Sequence, residues 1–122
     1  MPPQLLKIAP VFAVADPRTT ALYYEIVFGF VVEGKSAFDY AVVSRDGCEI
    51  HFITRPLDAP TTKGNKGGTY ITVEDPDALY EEFMSRGAGI LYPPIDQPYG
   101  QRDFGVHDPE GYSLLFGKKL GA

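Results

Sequence analysis

Val14-Ala15-Asp16-Pro17 (residues 14–17) returns as Val73-Glu74-Asp75-Pro76 (residues 73–76), a shift of 59 positions. A repeat at that spacing organises the rest of the chain, so it is read before any single element. Each copy places an aspartate before a proline, the N-cap and first-turn residue of a helix. Around the first copy, residues 5–14 read as a strand, with Pro10 implying an edge position or an irregularity. A helix is predicted from Pro17 to about Phe28, with Leu22 and Ile26 as its core-facing i,i+4 pair and Gly29 as its stop. Strands follow at about 30–34, 38–44 and 48–54, separated by Gly34-Lys35-Ser36 and by the turn Asp46-Gly47.

The second copy begins the same series again. A strand over 69–73 leads to a helix ending near Arg86, stopped by Gly87, and strands are predicted at 89–93, 102–107 and 112–117. Gly29 maps onto Gly87 at a shift of 58, and Asp46-Gly47 falls against Glu110-Gly111 at a shift of 64. The last turn, Asp108-Pro109-Glu110-Gly111, has Asp, Pro and Gly at the first, second and fourth positions of a β-turn. The predicted fold class is α+β: two βαβββ modules whose curved mixed sheets form a cleft. The 122 residues form one domain, with modules at 5–54 and 69–118 joined by a Pro- and Gly-rich linker loop at 55–68. A ferredoxin-like sandwich is the alternative, because it also alternates strands and helices.

Composition narrows the function. A net charge of −5 argues against a nucleic-acid partner, whose phosphates demand a basic face, and suits a cationic ligand. No apolar run is long enough to span a membrane, so no membrane partner is expected. Cys48 is the sole cysteine, which makes a reducing cytoplasm the default location. Within its apolar run that thiol reads as a small buried hydrophobe.

Pro10-Val11, Val14-Ala15-Asp16, Tyr23-Tyr24-Glu25 and Gly29-Phe30 together resemble the opening half of the vicinal oxygen chelate superfamily. Pro98-Tyr99-Gly100-Gln101-Arg102-Asp103-Phe104 and Asp108-Pro109-Glu110-Gly111 resemble its bleomycin-resistance branch. The resemblance implies paired βαβββ modules and a homodimer with two ligand crevices. Many members of that superfamily hold a divalent metal, and the matching positions here are Ala9, Gly68, His51 and Leu115. Ala, Gly and Leu have no side-chain donor, so neither a metal nor any other cofactor is expected. Without a Lewis acid, binding is favoured over glyoxalase or dioxygenase chemistry.

Aromatic placement then suggests the ligand face. Phe38 and Tyr40 share one strand face, Tyr70 lies on the strand that opens the second module, and Tyr99 and Phe104 flank the closing hairpin. In the bleomycin-resistance branch, aromatics at positions like Phe38 or Tyr40 and Tyr99 stack on flat heteroaromatic groups, usually with Trp where this chain has Tyr99. Arg102 and Asp103 alternate, so only one faces the cleft, and the acidic balance favours Asp103. The expected ligand-binding set is Phe38, Tyr40, His51, Tyr70, Tyr99, Asp103 and Phe104, with no catalytic residue. The expected function is metal-free sequestration of a flat, cationic small molecule. Two other readings stand beside it: an enzyme that is metal-dependent or uses His51 with Glu49, and a degenerate member acting through protein contacts.

Overall fold

The computed structural model describes residues 2–34, 39–56 and 66–121. Asp16 starts α1 (Pro17–Phe28) by accepting hydrogen bonds from the Arg18 and Thr19 N–H groups at 3.0 and 3.4 Å. Gly29 ends the helix at φ 72°, a left-handed conformation that glycine adopts without a Cβ penalty. Asp75 repeats the cap for α2 (Pro76–Ser85) through the Ala78 N–H at 3.0 Å.

The first sheet contains β1 (Val11–Val14), β2 (Val31–Val32), β3 (Tyr40–Arg45) and β4 (Cys48–Thr54), in the order β1-β4-β3-β2. The second contains β5 (Gly68–Thr72), β6 (Gly89–Asp96), β7 (Gln101–His107) and β8 (Ser113–Lys119), in the order β5-β8-β7-β6. In each sheet the first strand runs parallel to the last, and the other pairs are antiparallel. The repeat read in the sequence is therefore a repeat in space, a pair of βαβββ modules. Phe38 and residues 57–65 of the expected linker lie outside the described residues.

Strand β1 is shorter than predicted. The Pro10 carbonyl still accepts the His51 N–H at 2.9 Å, but proline has no N–H to extend the ladder, and residues 2–8 are exposed. Strand β6 carries Pro93-Pro94, tolerated because β6 is an edge strand, and its register shifts on both sides of Tyr92.

Both helices and the helix-side faces of both sheets share one core. Phe28 of α1 meets Phe83 of α2 at 5.2 Å between ring centroids, and Phe83 meets Phe116 of β8 at the same distance. The core face of α1 is not the predicted one: Leu22 and Ile26 are 51% and 59% exposed, while Ala21, Tyr24, Val27 and Phe28 are buried. The Tyr24–Phe28 stripe offers more aromatic area, and the Tyr24 hydroxyl has a buried acceptor in Asp108 at 2.7 Å. Phe104 is likewise a core residue rather than a ligand contact. It is fully buried, stacked on Phe116 at 5.3 Å with the planes 20° apart, because it alternates with Asp103 and takes the helix side. Cys48 is also reassigned: as the first residue of β4 after the turn, it is exposed.

The modules interlock reciprocally. The turn of the second module inserts Tyr112 against Phe12, with ring centroids 4.1 Å apart and planes at 5°. The turn of the first sends Arg45 to Glu82 of α2 through bonds of 2.8 and 3.0 Å. Among the described residues no helix is long and apolar enough to cross a membrane.

Tyr24→Phe should cost about 1.5–3 kcal/mol, the price of one hydrogen bond to a buried charged acceptor. Leu22→Gln should stay within about 0.5 kcal/mol of the parent. Urea denaturation of both variants checks the reassigned helix face.

Candidate functional site

Side chains alternate along each strand, so the face opposite the shared core carries the remaining polar and aromatic groups. On the second sheet that face is built around Asp103. This carboxylate has no solvent exposure, yet it accepts hydrogen bonds from Tyr70 at 3.0 Å, Tyr92 at 2.9 Å, Gln97 at 3.0 Å and Tyr99 at 2.5 Å. The four donors come from β5, β6 and the β6–β7 connection, and strand pairing brings them to one point. Gly117 makes the cluster possible: a Cβ there would lie 1.9 Å from the Tyr70 hydroxyl and 2.9 Å from the Asp103 Cβ. Arg102 turns to the other side, where its guanidinium meets Asp77 at 2.9 Å and Asp96 at 3.0 Å. The alternative left open between residues 102 and 103 thus resolves in favour of Asp103 facing away from the core.

The electrostatics are coupled. Burial raises the Asp103 carboxyl, but the bonds from Tyr99, Gln97, Tyr92 and Tyr70 outweigh it and hold the group below the usual carboxylate range. In return Tyr70 is pushed up to about 12, by burial first and then by its bond to Asp103. Tyr92 is raised for the same reasons, and Tyr99 chiefly by its bond to Asp103. All three phenols therefore stay protonated as donors at neutral pH. Their rings are not equally available: Tyr99 is 59% and Tyr70 40% exposed, while Tyr92 is half-buried.

A second cluster stands on the open face of the first sheet. The Tyr40 hydroxyl lies 2.5 Å from His51 Nδ1, and His51 Nε2 lies 3.0 Å from Glu49 Oε1. Lys7 Nζ approaches the other Glu49 oxygen at 2.6 Å, and together with His51 it lowers the Glu49 carboxyl. A carboxylate on Nε2 places a proton there and leaves Nδ1 to accept from Tyr40.

The expected ligand-binding residues therefore divide. Tyr40 and His51 form one group, Tyr70, Tyr99 and Asp103 form another, and Phe104 belongs to the core. Tyr92 and Gln97 complete the Asp103 cluster but were not singled out in the sequence. Their only signal was proximity to Pro98-Tyr99, and the bulges around Tyr92 hide its facing from simple alternation.

The donor set does not fit a divalent metal. His51 is engaged by Tyr40 and Glu49, Gly68 and Leu115 bring no donor, and no group of three His, Cys, Asp or Glu side chains converges among the described residues.

Two four-stranded sheets of identical order, each open on the face away from a shared helical core, define a protein of the paired βαβββ class. The sequence matches the Glyoxalase/Bleomycin resistance protein/Dioxygenase superfamily over residues 7–116, and the chain belongs to that superfamily. Among solved structures it resembles a glyoxalase/bleomycin resistance protein/dioxygenase from Nocardioides, at 17% identity and TM-score 0.79, covering 99% of this chain and 88% of the other. It also resembles the bleomycin-binding protein of Streptomyces verticillus, solved with copper(II)-bleomycin, at 26% identity and TM-score 0.75, covering 93% and 95%. TioX from Micromonospora sp. ML1 is similar at 24% identity and TM-score 0.72, covering 93% and 98%. No curated protein matches.

The Asp103 cluster predicts opposite pH limbs. A carboxyl lowered by folding stabilises above its unfolded pKa near 4, and that share is lost as pH falls through the lower folded value. Phenols raised by folding stabilise below their unfolded pKa near 10 and lose that share as pH rises, for Tyr70 through about 12. Asp103→Asn should bring tyrosine ionisation down toward 10 and flatten the acid limb of stability. Ultraviolet spectrophotometric titration and pH-dependent denaturation read the two effects.

Proposed function

We propose that this protein binds and sequesters a flat, cationic small molecule on the face built from Tyr70, Tyr99 and Asp103. The observation that carries this reading is the fixing of two exposed rings by a buried negative charge. Rings tethered through their hydroxyls have little rotamer entropy left to lose, so stacking a planar group on them starts from a preorganised surface. Asp103 supplies the charge that favours a cation over a neutral aromatic, in keeping with the net charge of −5. The likeness to a bleomycin-binding protein solved with copper(II)-bleomycin supports a ligand of that general kind.

Tyr40 and His51 join the site through a second copy of the chain. Both open faces are turned away from the shared core, so a crevice with both groups in its walls is completed by a homodimer. Sedimentation equilibrium should give the mass of two chains.

The Tyr40–His51–Glu49 chain favours one second reading, an enzyme in which His51, oriented by Glu49, accepts a proton through Tyr40. A turnover lost in His51→Ala but retained in Asp103→Asn would favour that enzyme.

Titration calorimetry with copper(II)-bleomycin and with a planar acridinium cation tests the binding reading. Saturable binding tighter than about millimolar is expected, and its absence for both would overturn it. Tyr99→Ala should weaken binding roughly ten- to a hundredfold. It should also lower stability, because it removes one of the four donors to the buried Asp103, so binding is compared under conditions where urea denaturation shows both proteins folded.

A further inference from the structure

The internal repeat allows one module junction to be compared with the other. At the first junction Tyr112 fills a slot beside the edge strand β1. Its ring stacks on Phe12, its hydroxyl accepts the Ala13 N–H at 2.9 Å and donates to the Ala13 carbonyl at 3.0 Å, and Glu110 accepts the Ala15 N–H at 2.7 Å. Ala13 is reachable because its neighbours bond inward: the Val14 carbonyl accepts the Arg55 N–H at 2.7 Å. In a parallel pair alternate residues then turn N–H and C=O outward.

The second junction keeps the same backbone layout with different side chains. At the shift of 59, Phe12, Ala13 and Ala15 correspond to Ile71, Thr72 and Glu74; at the shift of 64, Glu110 and Tyr112 correspond to Asp46 and Cys48. The Val73 N–H donates inward to the Gly117 carbonyl at 2.8 Å, so Thr72 turns its N–H and C=O outward from the β5 edge as Ala13 does from β1. A cysteine side chain cannot cross the space that a tyrosine spans. A cavity of about 610 Å³ stands open there, with Cys48 and Thr72 in its wall and Phe30, Ile71, Leu79 and Phe116 as apolar lining. Such a volume is in the range of small-molecule sites. Arg45, also in the wall, is held by Glu82 and lies 3.9 Å from Asp46, so one cation faces the carboxylates of Asp46, Glu74, Asp75 and Glu82 and the rim is acidic on balance.

We propose that this cavity is a binding site for a small phenol bearing a protonated amine. The ring takes the place that Tyr112 has at the twin junction, packed on Ile71. The phenol hydroxyl accepts the Thr72 N–H and donates to the Thr72 carbonyl, and the ammonium lies toward the acidic rim. The filled junction supplies the pattern for the ring and hydroxyl, and the rim supplies the charge. The site is separate from the Tyr99–Asp103 face, so either can fail without the other.

Tyramine is the probe, followed by amide chemical shifts in an ¹⁵N-labelled sample. Saturable shifts at Cys48, Ile71, Thr72 and Val73, with Kd near or below about millimolar, are expected. Phenethylamine, which lacks the hydroxyl, and p-cresol, which lacks the amine, should each bind at least about fivefold more weakly. Cys48→Tyr should abolish the shifts by filling the cavity from within. If that variant does not fold, alkylating Cys48 of the folded wild-type protein with N-ethylmaleimide makes the same test, since it is the sole thiol. The proposal is overturned by tyramine shifts that do not saturate, that centre on Tyr99, or that survive the blocked thiol. Phenethylamine binding as tightly as tyramine would equally overturn it.

Discussion

A four-stranded sheet with one helix across it cannot bury its apolar face alone, and two such units solve the problem by facing each other helix side to helix side. Here the solution is a single aromatic core in which Phe28 and Phe83 join the helices, and Phe52, Phe104 and Phe116 close it from the sheets. Everything else follows from that shared burial. Each strand's alternation is set by which residue enters the core, and what remains is presented on two open faces free for chemistry.

On one of those faces the fold does something costly. It withdraws Asp103 from water entirely and meets the cost with three phenols and an amide. A carboxylate satisfied by four donors is stable only while the donors keep their places, so it disciplines the rings that approach it. Rigid aromatic surface and fixed negative charge thus arise from the same contacts, which is why the binding reading rests on that cluster rather than on the count of aromatics.

The two junctions show how a repeat departs from symmetry. The same edge-strand geometry is met at one end by Tyr112 and at the other by Cys48, and where the tyrosine ring gives a packed contact the shorter side chain borders an open cavity. Compensation is visible nearby: Tyr24 reaches Asp108 at the first junction, while the Arg45–Glu82 ion pair ties the second.

The sequence by itself determined the repeat, the two capped helices with their glycine stops, the turns, and hence the paired-module fold. These are local signals, set by backbone chemistry at Asp16-Pro17, Asp75-Pro76, Gly29 and Gly87, and they do not wait on distant contacts. It also showed that residues 102 and 103 take opposite sides, and that Tyr99 stands beside them. Only the tertiary structure decided which side is the core. Both Leu22–Ile26 and Tyr24–Phe28 have helical spacing, and the choice fell to the stripe with a buried partner in Asp108, eighty-four positions away. In the same way Tyr70 and Tyr92 reach Asp103 from other strands and Gln97 from the β6–β7 connection, with the register of β6 shifted by bulges. Convergence across a sheet is a property of strand pairing, and no spacing along the chain encodes it.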